Sequence, residues 1–474
     1  MLALFVCLSA SAQLRVKKPW SDSMVLQGSC EAVVRGWAEP GAAVTVIPSW
    51  NGHKYKAVAA SDGLFELTVA TPEPGYTKHS LLVTSGRERL EIKDILVGEV
   101  WLAAGQSNME MPLGGFSCCP VENALDELTG PSKADRIRYF TVPKERDYNE
   151  RNEVDGEWKG FDASTGWDMS ATAYYFAKNL SATLDVPIGI VVCAYGGSKV
   201  ESWIPKEICD GYGDIGISKK DIEALEYDFY SPYMMYNAML KPVGGYTVKG
   251  MLWYQGCSNV GHDAEYADRL EDMVSSWRKL WNNSELPFYI VQIAPYNYGS
   301  PEDGRQNGAL LRDAQRIASK RISNAALVCT NDLAYDYERG QIHPCQKSKV
   351  GERLALLALH RDYGYDRLPC YSPEVEKAWL SDGRIFLRAT NLDRGPGNMY
   401  GVKGLYVTSS DGSRHPAERI DYDWVNGNVE VICKAAVNPV KVSYCWGDFV
   451  PGNLQNTAGL PFVPFEFDLP AAGM

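Results

Sequence analysis

Between residues 95 and 330 the chain carries five short, nearly continuous apolar runs, at 95–104, 188–194, 250–254, 288–294 and 325–330. Uninterrupted apolar character over so few residues predicts strands buried on both faces, as in a parallel sheet. Between them the period changes from continuous to helical. Over 173–184, Ala173, Phe176, Ala177, Leu180 and Leu184 share one face; over 265–281, Tyr266, Leu270, Met273, Val274, Trp277 and Trp281 do the same. A further helix over 347–359 presents Val350, Leu354, Leu357 and Ala358. Strands alternating with amphipathic helices predict a parallel sheet covered on both sides. Residues 118–168 are irregular and polar, with one strand at 137–142, and read as loops over a crevice.

The flanks read differently. Short apolar or alternating runs at 25–26, 33–37, 44–46, 64–67 and 80–83 are separated by turn signals such as Glu39-Pro40-Gly41, Asn51-Gly52, Asp62-Gly63 and Pro74-Gly75. That spacing predicts an antiparallel sandwich. After about residue 365 runs at 385–389, 405–408, 429–433 and 441–446 repeat the pattern. The expected organisation is a leader at 1–12, a β-domain at 13–94, an α/β domain at 95–365 and a second β-domain at 366–474.

Composition changes this picture little. A chain of 474 residues holds two or three domains. A net charge of −12 and no basic patch argue against a nucleic-acid partner. Residues 1–12 are apolar and end in Ala10-Ser11-Ala12, the back half of a secretory signal without its basic start, which predicts a periplasmic or secreted protein. No other stretch reaches the roughly 20 apolar residues of a membrane span. The twelve cysteines are scattered, with neither a disulfide framework nor metal-ligand spacing, so neither a metal nor another cofactor is expected.

The candidate chemistry sits where the strands end. Gly105-Gln106-Ser107-Asn108 closes the first run, Tyr195-Gly196-Gly197-Ser198 the second, and Gln255-Gly256-Cys257-Ser258-Asn259 the third; Gln341-Ile342-His343-Pro344 follows the fifth beyond a loop. In an open α/β sheet the carboxyl ends of the strands face the ligand crevice. Acyl transfer needs such a set: a serine, an imidazole to take its proton, and donors for the oxyanion. Ser107 fits the nucleophile and His343 the base, with Gly197, Asn259 and the Ser107 N–H as donors. Each group alone has a plainer reading: Ser107 or Asn108 as a helix cap, Gly196-Gly197 as a tight turn, Asn259 as a loop residue. Of the other histidines, His53, His79 and His415 fall in the β-domains and His360 lies late in a helix. His262 is the serious rival for the base, because it lies on the same edge.

These blocks, with Trp253-Tyr254-Gln255-Gly256 before Cys257, and Lys347 and Val350-Gly351-Glu352-Arg353 after His343, resemble the sialate O-acetylesterase family of SGNH hydrolases. Met24-Val25-Leu26-Gln27 and Gly36-Trp37-Ala38-Glu39-Pro40-Gly41 near the start, and Asn453-Leu454-Gln455-Asn456 near the end, extend the resemblance over most of the chain. The resemblance implies a three-layer α/β/α domain between β-sandwich-like flanks, with no metal. It makes Ser107 the nucleophile, His343 the base, and Ser107, Gly197 and Asn259 the oxyanion hole; Gln106 and Gln255 are assigned to substrate binding. It implies removal of O-acetyl groups from sialic acids. Acetylated plant-polysaccharide sugars such as xylan are the alternative substrates, and a carbohydrate-binding protein with a degraded site is the alternative class. Two departures stand out. Cys257 holds a place usually taken by Glu, and the usual Asp three residues before the histidine is Gly340. Asp332, Asp336, Glu338 or a backbone carbonyl is left to orient His343.

Overall fold

The computed structural model describes residues 13–299, 306–392 and 394–470; the signal-like segment 1–12 lies outside them. The organising element is a single strand, β1 (Glu88–Gly105). Its first half alternates exposed and buried side chains and pairs antiparallel with Gly75–Ser85; its second half is buried throughout. The expected boundary at residues 94 and 95 therefore falls inside one strand. The backbone runs straight through while its surroundings change from half-wet hairpin to enclosed sheet.

Around the second half of β1 lie β2 (Ile137–Thr141), β3 (Ile188–Ala194), β4 (Gly250–Tyr254), β5 (Phe288–Val291) and β6 (Ala325–Val328), in the order β2-β3-β1-β4-β5-β6. All five of these adjacent pairings are parallel, and Trp158–Gly160 extends the β2 edge antiparallel. The last two strands end two to three residues earlier than their apolar runs suggest.

Four long helices cover the sheet: α1 (Ala171–Leu184), α2 (Asp263–Leu280), α3 (Asn307–Arg321) and α4 (Lys347–Asp362). Alternate residues of β1 feed two separate cores. Trp101 and Ala103 join Phe176 and Leu180 of α1 and Leu354 and Ala358 of α4. Val100, Leu102 and Ala104 join Leu270 and Trp277 of α2 and Leu311 and Ala318 of α3. The period-2 geometry of a strand sends neighbouring side chains to opposite faces, so each face acquires its own helical cover.

Beyond residue 370 two four-stranded antiparallel sheets share one apolar core, which includes Leu387, Ile420, Val407 and Val442. This region is fixed to α3: the buried Arg312 donates to the Cys445 and Gly447 carbonyls, and Asp448 accepts from the Gly308 N–H at 2.8 Å. No helix among the described residues is long and apolar enough to cross a membrane.

Candidate active site

The strand order explains why distant motifs meet. β3 and β4 flank β1, and in register Gly105 stands level with both Ala194 and Tyr254. The chain leaves β1 for one side of the sheet and later crosses to the other, which makes the end of β1 the switch point where a crevice opens. Gly105 has φ +142°, and a side chain there would run into the Tyr254 carbonyl. Glycine is required for the two strand ends to come this close.

Ser107 then begins a single helical turn, Ser107–Glu110. Its N–H, at the first helical position, has no partner within that turn, and its hydroxyl makes no hydrogen bond among the described residues. Ser170 Oγ donates to the Met109 carbonyl at 2.6 Å and Thr172 Oγ1 to the Asn108 carbonyl at 3.1 Å, fixing the turn on α1. Glu110 reaches across to accept from the Gly196 N–H at 2.5 Å and from Lys144 Nζ at 2.8 Å. A Cβ on Gly196 would stand 3.5 Å from Ser107 Cβ, so the serine and the glycine turn are in contact. Gly197 has φ +81°, and a Cβ there would meet the Phe229 ring at 2.5 Å. Its N–H, like that of Ser107, is unpaired among the described residues.

Asn259 joins this cluster but is 1% exposed and held on every side. Its Oδ1 accepts from the Val200 N–H at 3.0 Å and from Gln255 Nε2 at 2.8 Å; its Nδ2 lies 3.2 and 3.0 Å from the two Glu201 oxygens. Glu201 is itself buried and paired with Arg269. The two glutamines expected at substrate are scaffold residues instead. Gln255 is wholly interior, donating to the Ser198 carbonyl and accepting from the Tyr266 hydroxyl. Gln106, 2% exposed, commits its amide oxygen to the Gly256 N–H at 2.8 Å. An amide on the strand-end loop satisfies buried backbone groups that the sheet leaves open.

The loop that carries His343 is tied to the Ser107 turn through Asn108. Asn108 Nδ2 donates to the Ile342 carbonyl at 3.0 Å, and its Oδ1 accepts from Lys347 Nζ at 2.8 Å; Lys347 also donates to the Pro344 carbonyl at 2.6 Å. Among the described residues no carboxylate is hydrogen-bonded to the imidazole. Both Asp332 oxygens are taken by Arg353, Glu338 caps the Tyr335 and Cys345 N–H groups, and Asp336 is exposed. The group facing His343 Nδ1 is the Cys119 thiol, at 3.8 Å. The Cys119 S–H is directed at the Ser117 carbonyl, 3.4 Å away, which leaves the sulfur as acceptor for an Nδ1 proton. Nε2 is then the basic nitrogen, and it is buried with no hydrogen-bond partner among the described residues. The edge of Phe116 closes on the ring, centroids 5.2 Å apart. Burial, and secondarily the Lys347 ammonium, push the His343 pKa down to about 4. Burial also lowers Lys347 to about 8. The rival His262 is exposed, at the start of α2.

Cys257 stands near Lys347 and Asn108, so the acid it replaces would have faced that ammonium; burial raises its thiol pKa, which disfavours a reactive thiolate. Among the described residues no group of three or more His, Cys, Asp or Glu is arranged to hold a metal ion. Sequence reasoning missed the supporting groups Cys119, Glu110 and Glu201. Glu201, an acid in the otherwise apolar and small Val200-Glu201-Ser202-Trp203 stretch after the glycine turn, carried a usable signal.

The family model for carbohydrate esterases of the sialic acid-specific acetylesterase type (SASA) matches residues 97–360. Sialate O-acetylesterase of Homo sapiens is 27% identical over 429 residues, spanning 82% of this chain and 79% of that protein. The Mus musculus sialate O-acetylesterase is 27% identical over 438 residues, spanning 81% and 80%. Among solved structures, a carbohydrate acetylesterase from Xanthomonas citri superposes with a TM-score of 0.83 at 29% identity, covering 96% of this chain and 99% of that one.

Proposed function

The chain belongs to the sialic acid-specific acetylesterase family of carbohydrate esterases, which makes it a carboxylic ester hydrolase, and on that premise we propose that Ser107 removes O-acetyl groups from sialic acids. The parallel sheet with a helical core on each face supports an SGNH-type three-layer domain over about residues 95–365, with the 13–94 and 366–474 regions as β-sandwich-like flanks. The apolar 1–12 segment supports export to the periplasm or beyond.

In this reading Ser107 Oγ attacks the acetyl carbonyl while its proton passes to His343 Nε2. The Ser107 and Gly197 N–H groups receive the negative charge on the carbonyl oxygen. Asn259 adds its second amide N–H, the first being held by Glu201. Each such donor is worth roughly 10²–10³ in rate. His343 returns the proton to the departing sugar oxygen, leaving acetate esterified to Ser107. The same imidazole then activates a water that releases acetate and restores the serine. The free, neutral Nε2 suits a base, and the Cys119 sulfur on Nδ1 fixes the tautomer.

The observation that carries this reading is the Asn108–Ile342 hydrogen bond, which ties the residue after Ser107 to the residue before His343 although 234 positions separate the two bonded residues in sequence. Acetate release from acetylated mucin sialic acids and from acetylated xylan tests it, with Ser107→Ala as control. Release from the sialic acids that disappears in Ser107→Ala is the expected result. Release from xylan alone would move the substrate to plant polysaccharide. No release from either would leave a carbohydrate-binding protein.

A further inference from the structure

The glycine turn that offers an oxyanion donor is packed against an aromatic group with an unpaired cation beside it. The Phe229 ring lies directly on Gly197. Tyr227 stacks on Phe229, centroids 5.0 Å apart and planes 11° from parallel, and is 43% exposed. Tyr230 meets both rings edge-on. Lys199, two residues beyond Gly197, holds its ammonium 4.8 Å from the centre of the Tyr230 ring. Exposed stacked aromatics are costly to leave in water, and their faces suit the apolar C–H faces of a sugar.

The charges around this turn separate the cations by role. Lys144 is paired with Glu110 and Arg146 with Asp228. Lys199 has no carboxylate partner among the described residues. Of the acids on the facing segment, Asp228 is taken by Arg146, and Glu226 lies at the Tyr227 hydroxyl. An uncompensated lysine is therefore held by an aromatic face beside the glycine turn, on a chain whose net charge is −12.

We propose that Lys199, with Tyr227, Phe229 and Tyr230, forms the subsite for the sugar that carries the acetyl group, and that Lys199 selects sugars bearing a carboxylate. This rests on the esterase reading above and deepens it. The aromatic faces hold the ring beside Gly197, while the ammonium pairs with the sugar's own carboxylate. A charge-assisted hydrogen bond of about 1.5–3 kcal/mol corresponds to a selectivity of roughly 10- to 150-fold.

The test compares three substrates: O-acetylated N-acetylneuraminic acid, the same sugar as its methyl ester, and p-nitrophenyl acetate. Acetate release is measured for the wild type, Lys199→Met, Lys199→Arg and Tyr227→Ala. Lys199→Met is expected to lower kcat/KM at least about 10-fold on the free acid and to leave the methyl ester and p-nitrophenyl acetate unchanged. Lys199→Arg is expected to restore most of the loss. Tyr227→Ala is expected to weaken both sugars through KM and to spare p-nitrophenyl acetate. An equal loss on all three substrates, or no loss on the free acid, overturns the proposal. Wild-type protein that hydrolyses p-nitrophenyl acetate but prefers the methyl ester also overturns it while leaving the esterase reading intact. Wild-type protein inert toward every substrate instead overturns the esterase reading.

Discussion

Asn108 Nδ2 donates to the Ile342 carbonyl across 3.0 Å, joining the residue after the candidate nucleophile to the residue before the candidate base. The same side chain accepts from the buried Lys347 ammonium, so one amide fixes the nucleophile's turn, the base's loop and the start of α4. Asn108→Ala removes both bonds and leaves a buried ammonium short of an acceptor. A loss of about 1–3 kcal/mol in stability is expected, with kcat falling on the order of 10²-fold as the base drifts from the serine. Thermal unfolding and p-nitrophenyl acetate kinetics measure the two effects separately.

Gly197→Ala should act on rate more than on binding. The residue has φ +81°, and a methyl group there meets the Phe229 ring. Relief of that clash turns the N–H away from the crevice. The expected outcome is a loss of roughly 10²–10³ in kcat with KM little changed. A change confined to KM would remove Gly197 from the oxyanion hole.

With His343 as the base, its titration is expected to set the acid limb of activity. Its pKa is depressed to about 4, first by burial and then by the Lys347 charge, so the neutral, proton-accepting form persists as pH falls from 7 toward 5. The kcat/KM profile on p-nitrophenyl acetate is expected to hold over that range and to fall through about 4. Lys347→Met removes the second cause and should move the limb to higher pH. A wild-type limb near the ordinary histidine value of about 6.5 would contradict this environment.

Cys119 takes the position at Nδ1 that a carboxylate often fills. A thiol fixes the tautomer but does little to stabilise an imidazolium. Cys119→Ala should lower kcat about 10-fold without changing KM, because it frees the ring to rotate and change tautomer. Cys119→Asp should raise the histidine pKa and shift the acid limb upward, toward about 6.5. A pH profile unaltered by the aspartate would show that residue 119 does not contact the base.

The sequence places Ser107, Gly197, Asn259 and His343 after apolar runs, and the strand order brings three of those runs together. The bonds that hold them were not. Cys119 meets His343 across 224 positions, through a polar segment with no periodic pattern. Gln255 looked like a ligand-facing amide, yet only the backbone geometry of neighbouring loops turns it inward. The expected boundary near residue 94 falls inside a strand for a physical reason. The Arg89–Asp94 stretch alternates because one face is wet, and the run after it is apolar because both faces are covered, while the strand itself never breaks. Helix α3 is absent from the sequence reading because it buries Arg312 and Gln315, which bind neighbouring backbone, in place of a continuous apolar stripe.

The proposed mechanism requires a covalent acetyl group on Ser107. Acid quenching of a rapid reaction with p-nitrophenyl acetate, followed by peptide mass spectrometry, tests this most directly. The expected result is an acetyl group on the peptide containing Ser107, formed within the burst of nitrophenol release and lacking in Ser107→Ala. An acetyl group on another residue, or a Ser107→Ala protein that turns over at the wild-type rate, would contradict it.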